Sequence, residues 1–519
     1  MNAAPASSAA AAHASHRGNA VMSWVLAAVI GLDYFDNAIF SFFATYIAGG
    51  INASPDELVW ASSAYALGAV LGILQQHWWV ERIGYRRYIA GCMSFYSTGA
   101  LLAALCDSSA ELLFARGIQG YFVGPMLGAC RILIQISFTA QRRADALRVF
   151  LTLIVLGSAL APIAGAWLVS HFDWRALFAC TAPAGFVLGM LALLSLPDTG
   201  DVDPAHRTEP HYWAYLVFAF AQAALQIVMT QLRFQLFTGS PGLIVLTVCG
   251  IAGLAWFVHH QWHHPAPLVR MHALREPTFQ VGLVLYVFYY YLSTGFSYLL
   301  PRLMERGLGF TIESTGYFNG VTSLLSGMLL FVYLHYSKHV PRKKWIIVPG
   351  FALAALAALW TAQMSPQVGH DALAAPLLLR GLLLLFIVLP VANLTFRVFE
   401  IEEFTHGYRL KNLVRQLAIS FATASIIMLE QHRLALHETR LVEAANPYNP
   451  IFSAALDTLS RGVLATGNPS GDSHGVAIAL LARSVAQQAN FLASLDGFYF
   501  LAAIALVGGL FAAWQRALD

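Results

Sequence analysis

The chain has 519 residues, of which 58% are hydrophobic and 11% are charged, with a mean hydropathy of +0.61 and a formal net charge of +3 at pH 7. A soluble domain typically carries about a quarter charged residues, so this composition excludes an ordinary water-soluble protein and predicts an integral membrane protein. The small net charge gives no support for a nucleic-acid partner.

The first twenty residues are rich in Ala and Ser, and Arg17 is their single basic residue. The apolar stretch that follows is too long for the core of a signal peptide and contains acidic residues. Residues 1–20 are therefore predicted to be a cytoplasmic tail. The five cysteines form no CxxC pair, which favours buried thiols over disulfides or metal ligands.

Fourteen segments are long and apolar enough to span a membrane, which requires roughly 20 residues at about 1.5 Å rise per residue. Numbered as spans 1 to 14 in chain order, they are 21–47, 58–78, 88–106, 111–137, 149–169, 176–196, 211–230, 241–260, 278–300, 314–336, 345–363, 373–395, 410–431 and 495–515. The fold class predicted is an all-α integral membrane protein.

Basic residues concentrate in alternate loops between these spans. Because Lys and Arg are enriched in cytoplasmic loops, both termini are predicted to be cytoplasmic. The longest segment between spans, 433–494, then lies on the opposite side of the membrane.

The loop after span 2 and the loop after span 10 both place an aromatic pair before a basic cluster, which indicates an internal repeat. Duplicated halves with a site at their interface are typical of secondary transporters. The predicted organisation is a tail (1–20), an N-terminal six-helix bundle (21–200), two inserted transmembrane helices with linkers (201–277) and a C-terminal six-helix bundle (278–519) that includes the loop 433–494.

Span 1 contains Asp33, Asp36 and Asn37, whose i, i+3, i+4 spacing places them on one helix face. An ionisable group inside a membrane is costly and normally faces a cavity or a partner. Two carboxylates this close hinder each other's ionisation, which suits a proton carrier. The alternative is a pair neutralised by arginine or held by hydrogen bonds, with no role in turnover.

Span 4 carries Arg116, which lies at nearly the depth of Asp33 in the membrane, so an ion pair with Asp33 or Asp36 is possible. Gln119, Arg131 and Gln135 are candidate substrate-binding residues on the same span. The guanidinium of Arg131 favours an anionic substrate if it lines a cavity. The alternative is that Arg131 extends to the membrane interface.

Other spans contribute weaker signals. Pro162 and Gly165 of span 5 permit a kink or close packing. Asn412 and Arg415 lie at the start of span 13, where they are expected either to line a cavity or to contact lipid headgroups. The histidine-rich stretch 259–264 is interpreted as a membrane-surface feature, with a metal site as the alternative.

Five short motifs carry a family resemblance: Leu32-Asp33, residues 81–84 with Arg86-Arg87, and residues 116–120, 161–165 and 412–415. Together they resemble the fourteen-span drug:proton antiporters of the major facilitator superfamily, the EmrB type. The resemblance implies two six-helix bundles plus two inserted helices, alternating access, and proton antiport in the bacterial inner membrane. It implies no cofactor, since the proton gradient supplies the energy, and it implies a small-molecule substrate, a periplasmic adaptor protein that would dock at 433–494, and an outer-membrane channel.

The resemblance also implies roles for individual residues. Asp33, Asp36 and Arg116 are expected to couple transport to protons. The residues expected to act in gating or conformational change are Glu81, Arg82, Gly84, Arg86, Pro162 and Gly165. Arg131 stands where a neutral polar residue is expected, which suggests an amphipathic or aromatic organic acid as the substrate.

Three other interpretations stay open at this stage. A proton-coupled importer of a nutrient acid fits the same features. A membrane-embedded enzyme would need a catalytic group near one membrane face, for which the stretch 259–264 is the candidate. A sensor or scaffold leaves the charges in spans 1 and 4 unexplained.

Overall fold

A computed structural model describes residues 6–199, 211–231, 240–264, 267–336, 340, 342–396, 399, 401–446, 448–465 and 473–518. Every regular element in this part of the chain is helical: α1 (Ala6–Phe42), α2 (Ala44–Gly50), α3 (Pro55–Leu105), α4 (Ser109–Val123), α5 (Met126–Ser137), α6 (Ala140–His171), α7 (Ala176–Ser195), α8 (Tyr212–Gln231), α9 (Pro241–His263), α10 (Pro277–Arg302), α11 (Ile312–Tyr336), α12 (Lys344–Ala362), α13 (His370–Gly381), α14 (Leu389–Thr395), α15 (Ile401–Ala444), α16 (Pro450–Ala465) and α17 (Ser473–Trp514). Short helical turns lie at Met271–Arg275, Leu303–Gly307, Leu384–Val388 and Arg516–Leu518.

Thirteen helical segments of the described chain are long and apolar enough to cross a membrane, and α3 contains two of the predicted spans. A straight helix of its 51 residues would be more than twice as long as the roughly 30 Å hydrocarbon core. The chain instead turns back at Gly84, where φ is 73° and ψ is 163°. Tyr65 before the turn packs against Gly120 of α4, and Gly99 after the turn packs against the adjacent Gln119, so the two halves run antiparallel. The prediction of fourteen spans is confirmed.

Several helices extend beyond the predicted spans. Helix α1 begins at Ala6, inside the segment predicted to be a tail. Helix α15 continues to Ala444, because residues 433–444 contain no Gly or Pro to end it. The segment 433–494, predicted as a loop, is thus largely helical in its described residues, with α16 packed against α17. Its turn cluster 467–472, the linker 200–210 and residues 337–339 lie outside the described residues.

The apolar cores follow the two blocks of spans. One cluster joins buried side chains between Met22 and Leu196, and another joins side chains between Val281 and Leu518. A smaller cluster joins Val70 of α3, Phe218 of α8, Leu283 of α10 and Leu413 of α15. Helix α8 therefore touches both blocks. The boundaries of the three predicted membrane domains stay predictions.

Gly84→Ala should destabilise the protein, because the backbone conformation at this turn is essentially restricted to glycine and strains other residues by about 1–3 kcal/mol. We expect a lower midpoint of thermal unfolding for the detergent-purified variant. Gly91→Ala is the matched control, since it lies in the same helix and a Cβ there meets nothing within 4 Å. Equal midpoints for the two variants would contradict the strained turn.

Candidate functional site

The middle of α1 carries two buried carboxylates. Asp33 is 2% exposed and Asp36 is 0% exposed. Asn37 lies one turn after Asp33 and donates from Nδ2 to Asp33 Oδ1 at 2.8 Å. The three side chains occupy neighbouring positions on the helix, but the two carboxylates have different partners.

Asp36 forms an ion pair with Arg116 of α4, at 2.6 Å between Oδ2 and Nη1. Tyr96 of α3 donates its hydroxyl to Asp36 Oδ1 at 3.0 Å. Arg116 is 1% exposed and also donates to Gln119 Oε1 at 2.9 Å. Because a charge buried in a membrane protein is costly without a partner, this pair neutralises both groups and ties α1 to α4.

Gly120 explains why α4 comes close enough to form this pair. A Cβ at Gly120 would lie 2.1 Å from the carbonyl oxygen of Tyr65, so only glycine permits this contact between α3 and α4. The approach brings the Tyr65 ring to 4.4 Å from the Arg116 guanidinium, which also lies 4.1 Å from the ring of Phe40. These rings add cation–π attraction to the buried guanidinium.

Asp33 differs from Asp36 because it lines a cavity. Its Oδ1 accepts hydrogen bonds from Asn37 and from the Tyr65 hydroxyl, the latter at 2.9 Å. In the part of the chain that the structure describes, no donor bonds to its Oδ2 and no basic side chain lies within 4 Å of it. Asp33 therefore keeps one oxygen available for a proton or a ligand.

The cavity has a volume of about 960 Å³ and is lined from both blocks of spans. Its aromatic lining includes tyrosines of α1, α10 and α15: Tyr34, Tyr286, Tyr289, Tyr290 and Tyr408. A largely apolar wall with a few convergent polar groups is typical of a small-molecule site.

Eight basic side chains line the cavity. Three of them pair with carboxylates: Arg116, Arg148 and Arg302. The other five are Arg131, Arg306, Arg380, Lys411 and Arg415. None of them has a carboxylate within 4 Å among the described residues. Lys411 Nζ lies 4.8 Å from the ring of Tyr408 and donates to Asn412 Oδ1 at 3.2 Å. Arg380 donates to Asn319 at 2.9 Å and to Ser297 at 3.0 Å. The basic groups therefore have neutral partners, which leaves positive charge facing the cavity.

Arg131 and Arg415 were predicted from the sequence, whereas Arg306, Arg380 and Lys411 were missed. Arg380 lies inside predicted span 12, so the rule that an ionisable residue within a span marks a functional site could have found it. Lys411 has no such signal, because it stands at the edge of predicted span 13, where loop charges are common. Its 5% exposure shows that it points into the protein.

Three predicted substrate-binding residues are not among the cavity-lining side chains. Gln119 is fully buried behind Arg116. Gln135 accepts a hydrogen bond from Arg131 at 3.3 Å. Asn412 is 1% exposed and accepts from Lys411, so the structure places it behind the wall. These residues orient the basic groups, while Asn37, Arg131 and Arg415 reach the cavity.

The predicted gating residues lie at the turn of α3 and in the middle of α6. Glu81 bonds to His77 at 2.7 Å, and Arg82 donates to the Trp78 carbonyl oxygen at 2.9 Å. Gly84 makes the turn of α3, and Arg86 follows two residues later.

The other two predicted gating residues, Pro162 and Gly165, lie within α6. Pro162 lines the cavity. A Cβ at Gly165 would lie 2.2 Å from the Phe43 ring, so this glycine permits Phe43, at the junction of α1 and α2, to pack closely on α6. The gating roles of these residues and of those at the turn of α3 stay predictions.

A second buried ion pair was not predicted. Arg302 of α10 lies 3.2 Å from Glu430 of α15, and Tyr298 donates to the same carboxylate at 2.6 Å. Tyrosine, arginine and carboxylate thus combine in the second block as Tyr96, Arg116 and Asp36 do in the first. Both members of each pair are neutralised, so neither pair offsets the positive charge in the cavity.

Removing one member of the Asp36–Arg116 pair should be more damaging than removing both. Asp36→Asn leaves a buried guanidinium uncompensated, at a cost of about 3–5 kcal/mol, whereas Asp36→Asn combined with Arg116→Gln removes both charges. Thermal unfolding midpoints of the purified variants measure this. Additive losses in the double variant would contradict a coupled pair, and Arg148→Gln, in an exposed pair with Asp145, is the control.

Comparisons with known proteins agree with this architecture. Residues 26–423 match the model of the Major Facilitator Superfamily. The multidrug export protein EmrB of Escherichia coli (strain K12) is 20% identical over 488 residues, which cover 94% of this chain and 93% of that protein. The fatty acid resistance protein FarB of Neisseria gonorrhoeae is 20% identical over 484 residues, covering 92% and 93%.

Among solved structures, a bacterial homologue of the human lysosomal transporter Spinster, crystallised in an inward-facing and unoccupied conformation, has a TM-score of 0.60 at 14% identity. The match covers 96% of this chain and 99% of that chain. The predicted resemblance to the EmrB type is thus confirmed. The prediction of a transporter rather than an enzyme is confirmed as well. The chain belongs to the Major Facilitator Superfamily, whose members are multi-pass membrane transporters.

Proposed function

We propose that this chain exports small amphipathic or aromatic organic acids across the bacterial inner membrane by alternating access, in exchange for protons. The observation that carries the proposal is the cavity in which five basic side chains have no carboxylate within 4 Å among the described residues. The export direction is supported by similarity to relatives named for multidrug export and fatty acid resistance.

The charge of the cavity favours an anionic substrate. A buried cation without a counter-charge is costly, so a ligand carboxylate or sulfonate would recover part of this cost. Arg131 and Arg415 can bind such a group through two parallel hydrogen bonds, which a lysine cannot supply. The tyrosine-rich wall offers aromatic surface for an apolar body.

Asp33 is the proposed proton carrier. Its Oδ2 can bind either a proton or a hydrogen-bond donor of the substrate, but not both at the same time. Mutual exclusion at one oxygen is the requirement for antiport. Asp36 is unsuited to this role because Arg116 and Tyr96 already bond both of its oxygens.

One observation favours a second candidate, a proton-coupled importer of an acid. Arg415 interacts electrostatically with Asp33 and also lines the cavity. Protonation of Asp33 would free Arg415 to bind an anion, so that proton and substrate would bind together rather than in turn. The direction of proton movement distinguishes this symport from antiport.

The proposed export function includes protein partners on the periplasmic side of the membrane. Helix α16 is exposed along its length, with Ile451 79% and Leu464 63% exposed, and it lies in the segment predicted to face the periplasm. We place the docking surface for a periplasmic adaptor protein, itself joined to an outer-membrane channel, on this helix. Both chain termini would then be cytoplasmic.

Arg415→Gln and Arg131→Gln should each weaken binding of an aromatic sulfonate about 10- to 100-fold, because a charge-assisted hydrogen bond contributes about 1.5–3 kcal/mol. Titration calorimetry on the purified protein measures this. Sulfonates are suitable because they stay ionised near neutral pH and do not cross lipid as neutral acids.

Arg148→Gln is the control, since Arg148 lies at the exposed edge of the cavity and pairs with Asp145 at 2.8 Å. A lipophilic cation that binds the wild type more tightly than the sulfonate would contradict the proposed substrate class. So would sulfonate affinity that is unchanged in both arginine variants.

A further inference from the structure

The inserted helix α8 carries a buried polar stripe. Gln222, Gln226 and Thr230 recur every four residues and are 3%, 9% and 2% exposed. A helix added at the lipid-facing edge of a transporter would be expected to bury apolar side chains instead. The stripe therefore marks a face of α8 that is directed into the protein.

This face points to the seam between the two blocks of spans. Gln226 donates from Nε2 to Ser63 Oγ of α3 at 2.8 Å, and α8 also packs against α15. One turn before Gln222, Phe218 lies in the apolar cluster with Val70 of α3 and Leu413 of α15. Helix α8 thus packs against both α3 and α15, beside the contact that these two helices make with each other.

Two residues of the stripe, Gln226 and Thr230, line the same cavity as Asp33 and Arg415. Gln226 bonds to Ser63 of α3, which is uncharged and polar and lines the cavity as well. The cavity consequently has a neutral hydrogen-bonding wall in addition to its basic groups.

This wall has unused hydrogen-bonding capacity. The Gln226 amide donates to Ser63, and none of the described residues donates to its Oε1. Because a buried polar group without a partner is costly, this oxygen is suited to accept a hydrogen bond from a ligand.

We propose that α8 forms part of the substrate site, with Gln226 Oε1 accepting a hydrogen bond from a neutral hydroxyl or amide N–H group of the transported compound. Gln226 is then a specificity-determining residue that only the inserted helix supplies. The inference rests on the proposed function in that the cavity holds the transported molecule, but it does not depend on the sign of the substrate's charge.

The test is hydroxyl discrimination in ligand binding, measured by titration calorimetry on the purified full-length protein. Two pairs of probes serve: benzenesulfonate with 4-hydroxybenzenesulfonate, and phenyltrimethylammonium with its 4-hydroxy derivative. We expect the wild type to bind the hydroxylated member of at least the anionic pair more tightly, and Gln226→Leu to reduce that preference about 3- to 10-fold, as loss of one neutral hydrogen bond implies.

Two controls separate this role from a structural one. Thr247→Val removes a hydroxyl of α9 that bonds only within its own helix, to the Leu243 carbonyl oxygen, and should leave the preference unchanged. Ser63→Ala removes the partner that holds Gln226. If Gln226 only fastened α8 to α3, Gln226→Leu and Ser63→Ala would lower the thermal midpoint equally and weaken both members of a pair alike.

That result, or a wild type without hydroxyl preference in either pair, would overturn the inference. A third result is also informative: the wild type prefers the hydroxylated compound only in the cationic pair, and Gln226→Leu loses this preference. That result would support the role of α8. It would at the same time contradict an organic acid as the substrate.

Discussion

The buried ion pair between Asp36 and Arg116 is the interaction on which the rest of the site depends. It neutralises one of two carboxylates on α1 and leaves the other, Asp33, facing the cavity. The pair forms because Gly120 allows α4 to touch the backbone of α3 at Tyr65. The same contact places the Tyr65 hydroxyl on Asp33. A single close helix–helix contact therefore gives two neighbouring carboxylates different environments.

The cavity combines this free carboxylate with an excess of positive charge and with aromatic surface. The basic groups that have no carboxylate within 4 Å among the described residues come from both blocks of spans, Arg131 from the first and Arg306, Arg380, Lys411 and Arg415 from the second. A bound anion would contact both blocks at once. Relative movement of the blocks would then alter its coordination, which is how alternating access links substrate binding to conformation.

The spans could be predicted from the sequence, because twenty apolar residues are a sufficient signal for a helix in a membrane. The sequence also indicated Asp33, Asp36 and Arg116, since a charge within such a span is exceptional. Which carboxylate pairs with Arg116 could not be predicted. That choice depends on the rotation of α4 against α1, which tertiary packing sets.

Other features of the site had no local signal. Gln226 is one polar residue in an inserted helix, and its place in the cavity wall follows only from the packing of α8 against α3 and α15. The positions of Gln119 and Asn412 behind the wall likewise depend on helix rotation. Helix α15 runs past the predicted end of span 13 because apolar length marks the membrane and does not mark where a helix stops.

The central claim is that Asp33 exchanges a proton for a substrate in a positively charged cavity. The most direct measurement is proton movement in liposomes that contain a pH-sensitive dye and the purified protein, after addition outside of 4-hydroxybenzenesulfonate, an aromatic sulfonate that carries a hydrogen-bond donor. The account predicts that the lumen becomes alkaline as protons leave in exchange, and that Asp33→Asn abolishes this response. Acidification of the lumen would show symport instead, and an unchanged response in Asp33→Asn would show that another group carries the proton.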